Sequence, residues 1–304
     1  MQSLTPVRSD APWSDDAGSL GYLVEQALSR SVDQIARHDP GVRSGLDPED
    51  VHQFRVGIRR LRSDLRTFAP LLQPRLRRCL GSELRWLGGS VGPVRDGDVL
   101  AERLEHDTSR LRRVDPDVEA LLLSRLDHEN QAARAAMLQE LESDRYDALR
   151  HRLRTIANLA PVRSKRLPLF VQPASEIAAA FARAPWQALE DGVQTLGPTP
   201  GDASLHQVRI LVKRSRYAAE AVGAAVVGAA EFAVALADVQ TVLGDHHDTV
   251  SAEAWLSDAV RDSPEVSRLA YDLIFRQRSR RARARAKWAT TWEHASAPEL
   301  RTWL

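Results

Sequence analysis

Two segments of this sequence read almost alike. Val51–Arg62 is VHQFRVGIRRLR and Leu205–Arg216 is LHQVRILVKRSR. His52 corresponds to His206, Gln53 to Gln207 and Arg55 to Arg209, while Arg59, Arg60 and Arg62 correspond to Lys213, Arg214 and Arg216. The offset is 154 residues at every pair, so a larger unit is repeated. Two further landmarks follow in the same order. LGGSVGPVRDGD, with Gly92 and Asp96, is echoed by LGDHHDTV, with Gly244 and Asp248, and Pro116-Asp117-Val118 by Pro264-Glu265-Val266. Small loop differences account for the slow drift in offset. We expect two tandem copies, 18–158 and 173–295, of roughly four helices each. Residues 1–17 then form a mobile tail, the proline-bearing 159–172 a linker and 296–304 a C-terminal tail.

Each copy reads as helical. Ala, Leu, Arg and Glu dominate long segments with a helical period, and strand signals are nearly absent. Asp47-Pro48-Glu49, Asp115-Pro116-Asp117 and Ser263-Pro264-Glu265 each supply a capping residue, a proline for the first helical position and an acid for the first turn. The fold class is therefore all-α.

The repeated segment has two faces. On a helix over 51–72, Phe54, Ile58, Leu61, Leu65, Phe68 and Leu72 share one side and form core. His52, Arg55, Arg59, Arg62 and Arg66 share another, in a stripe about 20 Å long. In the second copy His206, Arg209, Lys213 and Arg216 repeat the stripe, with Val208, Val212 and Ala219 behind it, and Glu220 stands where the first copy has Arg66. Like charges three or four positions apart destabilise a helix by about 0.2–0.5 kcal/mol per pair. Between residues 51 and 78 only Asp64 offers relief. A costly stripe written twice in one register points to a surface for an extended polyanion, because a single phosphate needs only two or three donors at one point. Formal net charge is +1, so the basic signal is local. Of the 42 basic residues only Lys165, Lys213 and Lys287 are lysines, and Arg suits two-point contact with phosphate oxygens.

HQFRVGIRRLR, VGPVRDGD, LHQVRILVKRSRY and LGDHHDTV together resemble the CHAD family, the conserved histidine α-helical domain. The resemblance runs over nearly the whole chain past residue 17. It implies two four-helix bundles related by pseudo-two-fold symmetry, with a basic central channel between them. It also implies binding of inorganic polyphosphate and association with polyphosphate granules in the cytoplasm. Some family members carry a fused triphosphate-tunnel hydrolase domain. Its Glu-x-Glu-x-Lys signature precedes none of the three lysines, so a non-catalytic, stand-alone binding module is expected. The binding residues expected are His52, Arg55, Arg59, Arg60, Arg62, Arg66, His206, Arg209, Lys213, Arg214 and Arg216.

Other features fit around that reading. Asp96 and Asp248 are expected in turns, where they orient stripe arginines. GDHHD at 244–248 invites a metal-dependent phosphohydrolase reading, but its first-copy counterpart has Arg95 in place of His247, so neither metal nor cofactor is expected. FRQRSRRARARAK, 275–287, sets Arg276, Arg280, Arg283 and Lys287 on one helix face, and these, with Arg95, Arg150 and Arg154, are candidates for a channel wall. Nucleic acid is the alternative partner and other polyanions are admitted, although single strands favour aromatics interleaved with the charges, and Phe54 and Phe68 lie on the core side. Cys79 is the sole cysteine, excluding an intrachain disulfide. Residues 1–17 lack the pattern of a secretory signal, and the apolar run 221–230 is too short to span a bilayer. A cytoplasmic protein without membrane contact is expected.

Overall fold

The computed structural model describes residues 16–158 and 164–304, the side chains of 157, 158 and 164 excepted. Among these residues every regular element is a helix: α1 Leu20–Ser44, α2 Pro48–Thr67, α3 Pro74–Thr108, α4 Pro116–Leu141, α5 Asp144–Asn158, α6 Leu167–Phe170, α7 Ala174–Ile177, α8 Ala180–Gln194, α9 Asp202–Val222, α10 Ala229–Asp262 and α11 Ser267–Ala295. Short 3-10 turns lie at Ser164–Arg166, Pro264–Val266 and Pro298–Arg301.

Local chemistry explains the helix starts. Asp47 accepts from the Glu49 amide at 2.8 Å and Asp115 from the Asp117 amide at 3.0 Å, each just before a proline. The third expected start differs. Ser263 makes no side-chain cap, and Pro264 opens a 3-10 turn before α11. The helix expected over 51–72 ends at Thr67, because Pro70 disfavours helical backbone at Ala69. Phe68 and Leu72 remain fully buried. Gly57 lets α2 lie close on α1, since a Cβ there would sit 2.9 Å from Ile35 Cγ1 and 3.1 Å from its backbone nitrogen.

Three apolar cores hold the helices. The first gathers α1, α2, the start of α3, the end of α4 and α5, and takes in Phe170, Ala174, Ala178 and the Ala218–Val222 end of α9. The second joins α8, α9, the first half of α10 and the last half of α11. The third lies at the far ends of the long helices: Leu104 of α3, Leu122 and Leu126 of α4, Leu256 of α10, and Leu269, Leu273 and Ile274 of α11. Residues from both sequence halves therefore share the first and third cores.

The expected linker is partly built into the fold. Residues 159–163 lie outside the described residues, but Phe170 is buried, and α1 is tied on by Leu20 N–H to Gln172 O at 2.9 Å and Ala174 N–H to Gly18 O at 2.8 Å. Of the expected tail 1–17, residues 1–15 lie outside the described residues. At the other end Trp303 packs edge-on to Phe232 at 5.7 Å, and Arg301 pairs with Glu190 at 3.1 Å, so 296–304 is docked on the second core. No helix among the described residues is long and apolar enough to cross a membrane.

Beside the third core, Asp107 is fully buried and receives both ends of the Arg280 guanidinium at 2.6 and 2.8 Å, with Gln277 Nε2 donating at 2.7 Å. Removing one member of a buried ion pair typically costs about 3–5 kcal/mol. Asp107→Ala should lower unfolding free energy by about 3 kcal/mol, near the low end because Arg280 keeps some solvent contact. Urea titration followed by circular dichroism measures this, with the slope against denaturant unchanged.

Candidate functional site

The packing of α2 against α9 brings both basic stripes to one cleft. Its volume is about 560 Å3. His52, Arg55 and Arg59 enter from α2, Arg95, Asp96 and Arg103 from α3, Arg209 and Lys213 from α9, and His247, Asp248 and Trp255 from α10, while Glu129 and Asn130 of α4 close one side. The apolar sides of both helices make this possible: Phe54, Ile58, Val208 and Val212 are buried, leaving the cations on the opposite face.

Some of these cations are already held. Arg55 Nη1 donates to Asp96 Oδ1 at 2.7 Å and to the Gly92 carbonyl at 2.9 Å. Arg103 donates to Asp245 Oδ1 at 2.8 Å and lies 4.0 Å from Asp248 Oδ2. The expected turns at Asp96 and Asp248 are corrected, because both aspartates project from the interiors of long helices, α3 and α10. Gly88, Gly89 and Gly92 lie within the same helix as Asp96.

Other cations are not satisfied. Nε of Arg59 and Nε of Arg209 are buried with no hydrogen-bond partner among the described residues. Arg59 stacks instead over the Tyr217 ring at 5.6 Å. An unpaired buried donor is costly unless something meets it.

The crowding shows in the protonation equilibria. Lys213 is pushed down to about 7, by burial first and then by Arg209, Arg59 and Arg55. Burial, Arg209, His206 and Lys213 push His247 down to about 4. His52 is lowered by burial and then by Arg95. Asp248 is raised by burial, against the pull of Arg103 and Arg209. An anion in the cleft would act oppositely on each of the bases. His206 meets the cleft through His247, their Nδ1 atoms 3.3 Å apart and their rings tilted at 4.7 Å.

The rest of the stripe lies beyond the cleft lining. Arg62 and Arg66 are held below the ordinary arginine value by burial, with Arg85 acting on both and Arg214 on Arg66. Arg60 lies 3.4 Å from Glu220, which also receives Arg216 at 2.7 Å. The other candidates for a wall lie elsewhere. Arg150 turns to Asp39 at 3.8 Å, and Arg154 is exposed on α5. Arg276, Arg280 and Arg283 line a separate hollow beside Asp107, and Lys287 is exposed on α11. Of the extra cations proposed for a wall, Arg95 lines the cleft.

His246 and His247 point to different surroundings. His246 is buried, with Nε2 3.1 Å from Asp202 Oδ1 and Arg285 donating at 3.3 Å, whereas His247 lines the cleft. Sequence reasoning missed Arg103, Trp255, Asn130 and Arg85. Reading 85–103 as helix would have shown Arg85, Gly92, Asp96 and Arg103 at helical spacing. Trp255 carried no local signal; its indole N–H donates to Glu129 at 2.7 Å and Arg125 covers its ring at 5.7 Å.

Comparison with known proteins gives a consistent result. The CHAD domain family model matches residues 26–257. Proteins of Mycobacterium tuberculosis described as uncharacterized, MT2285 of strain CDC 1551 and Rv2226 of strain H37Rv, are each 30% identical over 263 residues, covering 84% of this chain and 49% of their own length. The chain thus spans about half the length of the curated relatives it matches. Among solved structures, PptA from Streptomyces chartreusis superposes with a TM-score of 0.74 at 25% identity, covering 90% of this chain and 99% of that one. The CHAD domain from the plant Ricinus communis gives 0.72 at 27% identity, covering 97% and 98%.

Lys213 titrates lower in the folded chain than the 10.5 of an ordinary lysine. Between about 7 and 10.5 the unfolded chain holds the extra proton, so this group makes stability rise with pH across that window. Below about 7 both states are charged and the folded state carries the full penalty. Lys213→Met should therefore flatten the rise and stabilise the protein at pH 6 by on the order of 2 kcal/mol. Denaturant titrations of both proteins at pH 6, 8 and 10 measure it.

Proposed function

Because the chain belongs to the CHAD domain family, we propose that the cleft between α2 and α9 binds inorganic polyphosphate without hydrolysing it. The observation that carries this reading is the pair of buried, unpartnered Nε groups of Arg59 and Arg209 beside Lys213. The two side chains come from two helices and line one cavity. Successive phosphates of a linear polymer can meet them in turn, and the anionic charge relieves the repulsion among Arg55, Arg59, Arg209 and Lys213. Arg62, Arg66, Arg85 and Arg214 extend the basic path past the cleft. Asp96 holds Arg55, and Asp248 acts electrostatically on Arg209. Association with polyphosphate granules in the cytoplasm follows from the same affinity.

Single-stranded nucleic acid is the second reading, favoured by Trp255 in the cleft wall. Its N–H is already committed to Glu129, and Arg125 lies over its ring, so a stacking base would have to compete with both. A competition titration of polyphosphate against DNA and RNA, at matched charge concentration and salt, separates the two readings. Preference for DNA or RNA would overturn the polyphosphate reading.

Long-chain polyphosphate should bind far more tightly than pyrophosphate or ATP, because only a polymer reaches all the donors at once. With four cations neutralised, log K should fall against log salt with a slope of about −3. Equal affinity for ATP and the long chain would remove the extended site. Phosphate release from polyphosphate on adding divalent metal, lost in His246→Ala or His247→Ala, would overturn the non-catalytic reading.

Arg59→Glu with Lys213→Glu should weaken binding by about three orders of magnitude, since each reversal at a desolvated contact costs about 2 kcal/mol. Far-ultraviolet circular dichroism should be unchanged. Binding should also tighten from pH 8 to pH 6. In the free protein Lys213 and His52 are held below their ordinary values, and the polymer draws a proton onto them. Isotherms at constant ionic strength in two buffers test this, with proton uptake at pH 7.5 as the independent readout.

A further inference from the structure

Of the three lysines, Lys213 alone lines the cleft; Lys165 and Lys287 are exposed on the outer surface. The guanidinium groups around it stay charged near neutrality, whereas a lysine can lose its proton and become a nucleophile. No carboxylate forms an ion pair with Lys213 among the described residues, and the acid acting on it is Asp248. Burial first, and then Arg209, Arg59 and Arg55, push the pKa of its amine down to about 7. A free amine thus sits among phosphate-binding groups, in a cavity large enough for a small phosphorylated molecule.

We propose that Lys213 is an acylation site for acyl phosphates, with the phosphoryl group held by Arg55, Arg59 and Arg209 and the acyl group passed to Nζ. This rests on the reading of the cleft as a phosphate-binding site. The amine lone pair attacks the acyl carbonyl carbon. A C–N bond forms, the C–O bond to phosphorus breaks, and orthophosphate leaves. The surplus amine proton goes to the departing phosphate or to water. No oxidant, metal or further co-reactant is needed. The arginines both place the carbonyl beside the amine and stabilise the charge growing on the leaving phosphate. The product is a neutral amide. One cation at the centre of the cleft is removed, and the acyl group occupies part of its volume, so acylation opposes polyphosphate binding.

The test uses acetyl phosphate on the full chain at pH 8, with peptide mass spectrometry following Lys213, Lys165 and Lys287. Acetic anhydride, which has no phosphoryl group, serves as the reference reagent. At pH 8 the free-base fraction of Lys213 is about two hundred times that of an ordinary lysine, and lower basicity returns part of that gain, so acetyl phosphate should modify it at least ~10-fold faster than the exposed lysines. Long-chain polyphosphate should suppress the reaction at Lys213 and leave Lys165 and Lys287 unaffected. Arg59→Met should lower the acetyl phosphate rate at Lys213 relative to its anhydride rate. Equal rates at the three lysines, or an unchanged ratio in Arg59→Met, would overturn the proposal. A polyphosphate isotherm on the same samples separates the two readings. Binding without preferential acylation sinks this inference alone, whereas acylation at Lys213 without polyphosphate binding sinks the polymer reading and leaves the acyl phosphate site standing. Treated protein should bind polyphosphate about fivefold more weakly at 0.1 M salt, the counterion contribution of one phosphate contact. Lys213→Arg, whatever its starting affinity, should show no such drop on the same treatment.

Discussion

Like-charge repulsion between α2 and α9 is the constraint around which the molecule is arranged. Arg55, Arg59, Arg209 and Lys213 would separate if the helices were free to move. They do not, because each helix presents an apolar face that the cores enclose. Phe54 and Ile58 on α2 and Val208 and Val212 on α9 are almost fully buried, and each such side chain contributes about 1.5–3 kcal/mol. Against that, the repulsion is a fraction of the packing energy. It is stored in displaced protonation equilibria and unpartnered donors rather than relieved by movement.

Carboxylates keep the arrangement within bounds, and they are placed unevenly. Asp96 fixes Arg55, Asp245 fixes Arg103, and Glu220 receives both Arg60 and Arg216. At the offset of 154 residues, Glu220 corresponds to Arg66 and Arg60 to Arg214. The structure sets Arg60 beside Glu220 and Arg66 within electrostatic reach of Arg214. The same two positions are thus a neutralised pair on one side and a doubly cationic pair on the other. The basic surface beyond the cleft is consequently lopsided, although the two sequence segments look alike.

Much of this was legible in the sequence. Helical periodicity, aspartate–proline starts and the double stripe were all local patterns, and local patterns survive folding. The buried faces of α2 and α9 follow from spacing alone. The run LGGSVGPVRDGD misled, because glycine and proline weaken a helix in isolation while tertiary packing keeps α3 continuous through them. Arg103 and Trp255 were invisible for a different reason. Their roles depend on Asp245 and Glu129, partners well over a hundred residues away, and no short-range pattern encodes such a meeting. The basic run 275–287 was over-read for the same reason. Its acids, Asp107 for Arg280, Glu253 for Arg278 and Arg281, and Asp202 for Arg285, come from other helices and pair with four of its seven basic residues.

The third core lies at the far ends of helices that also wall the cleft. α3 carries Asp96 and Arg95 at the cleft and Leu104 and Asp107 at this distal clamp, and α10 carries His247 and Leu256 in the same way. Each helix is a bar packed at the clamp and again beside the cleft, where Val91 and Val94 of α3 belong to the first core and Val242 and Leu243 of α10 to the second. From Asp107 to Asp96 the bar is about 16 Å long, so a pivot of about 10° swings the cleft wall by about 3 Å, roughly the reach of one hydrogen bond. The width of the opening therefore depends in part on the third core, whose Leu126 also lines the cleft.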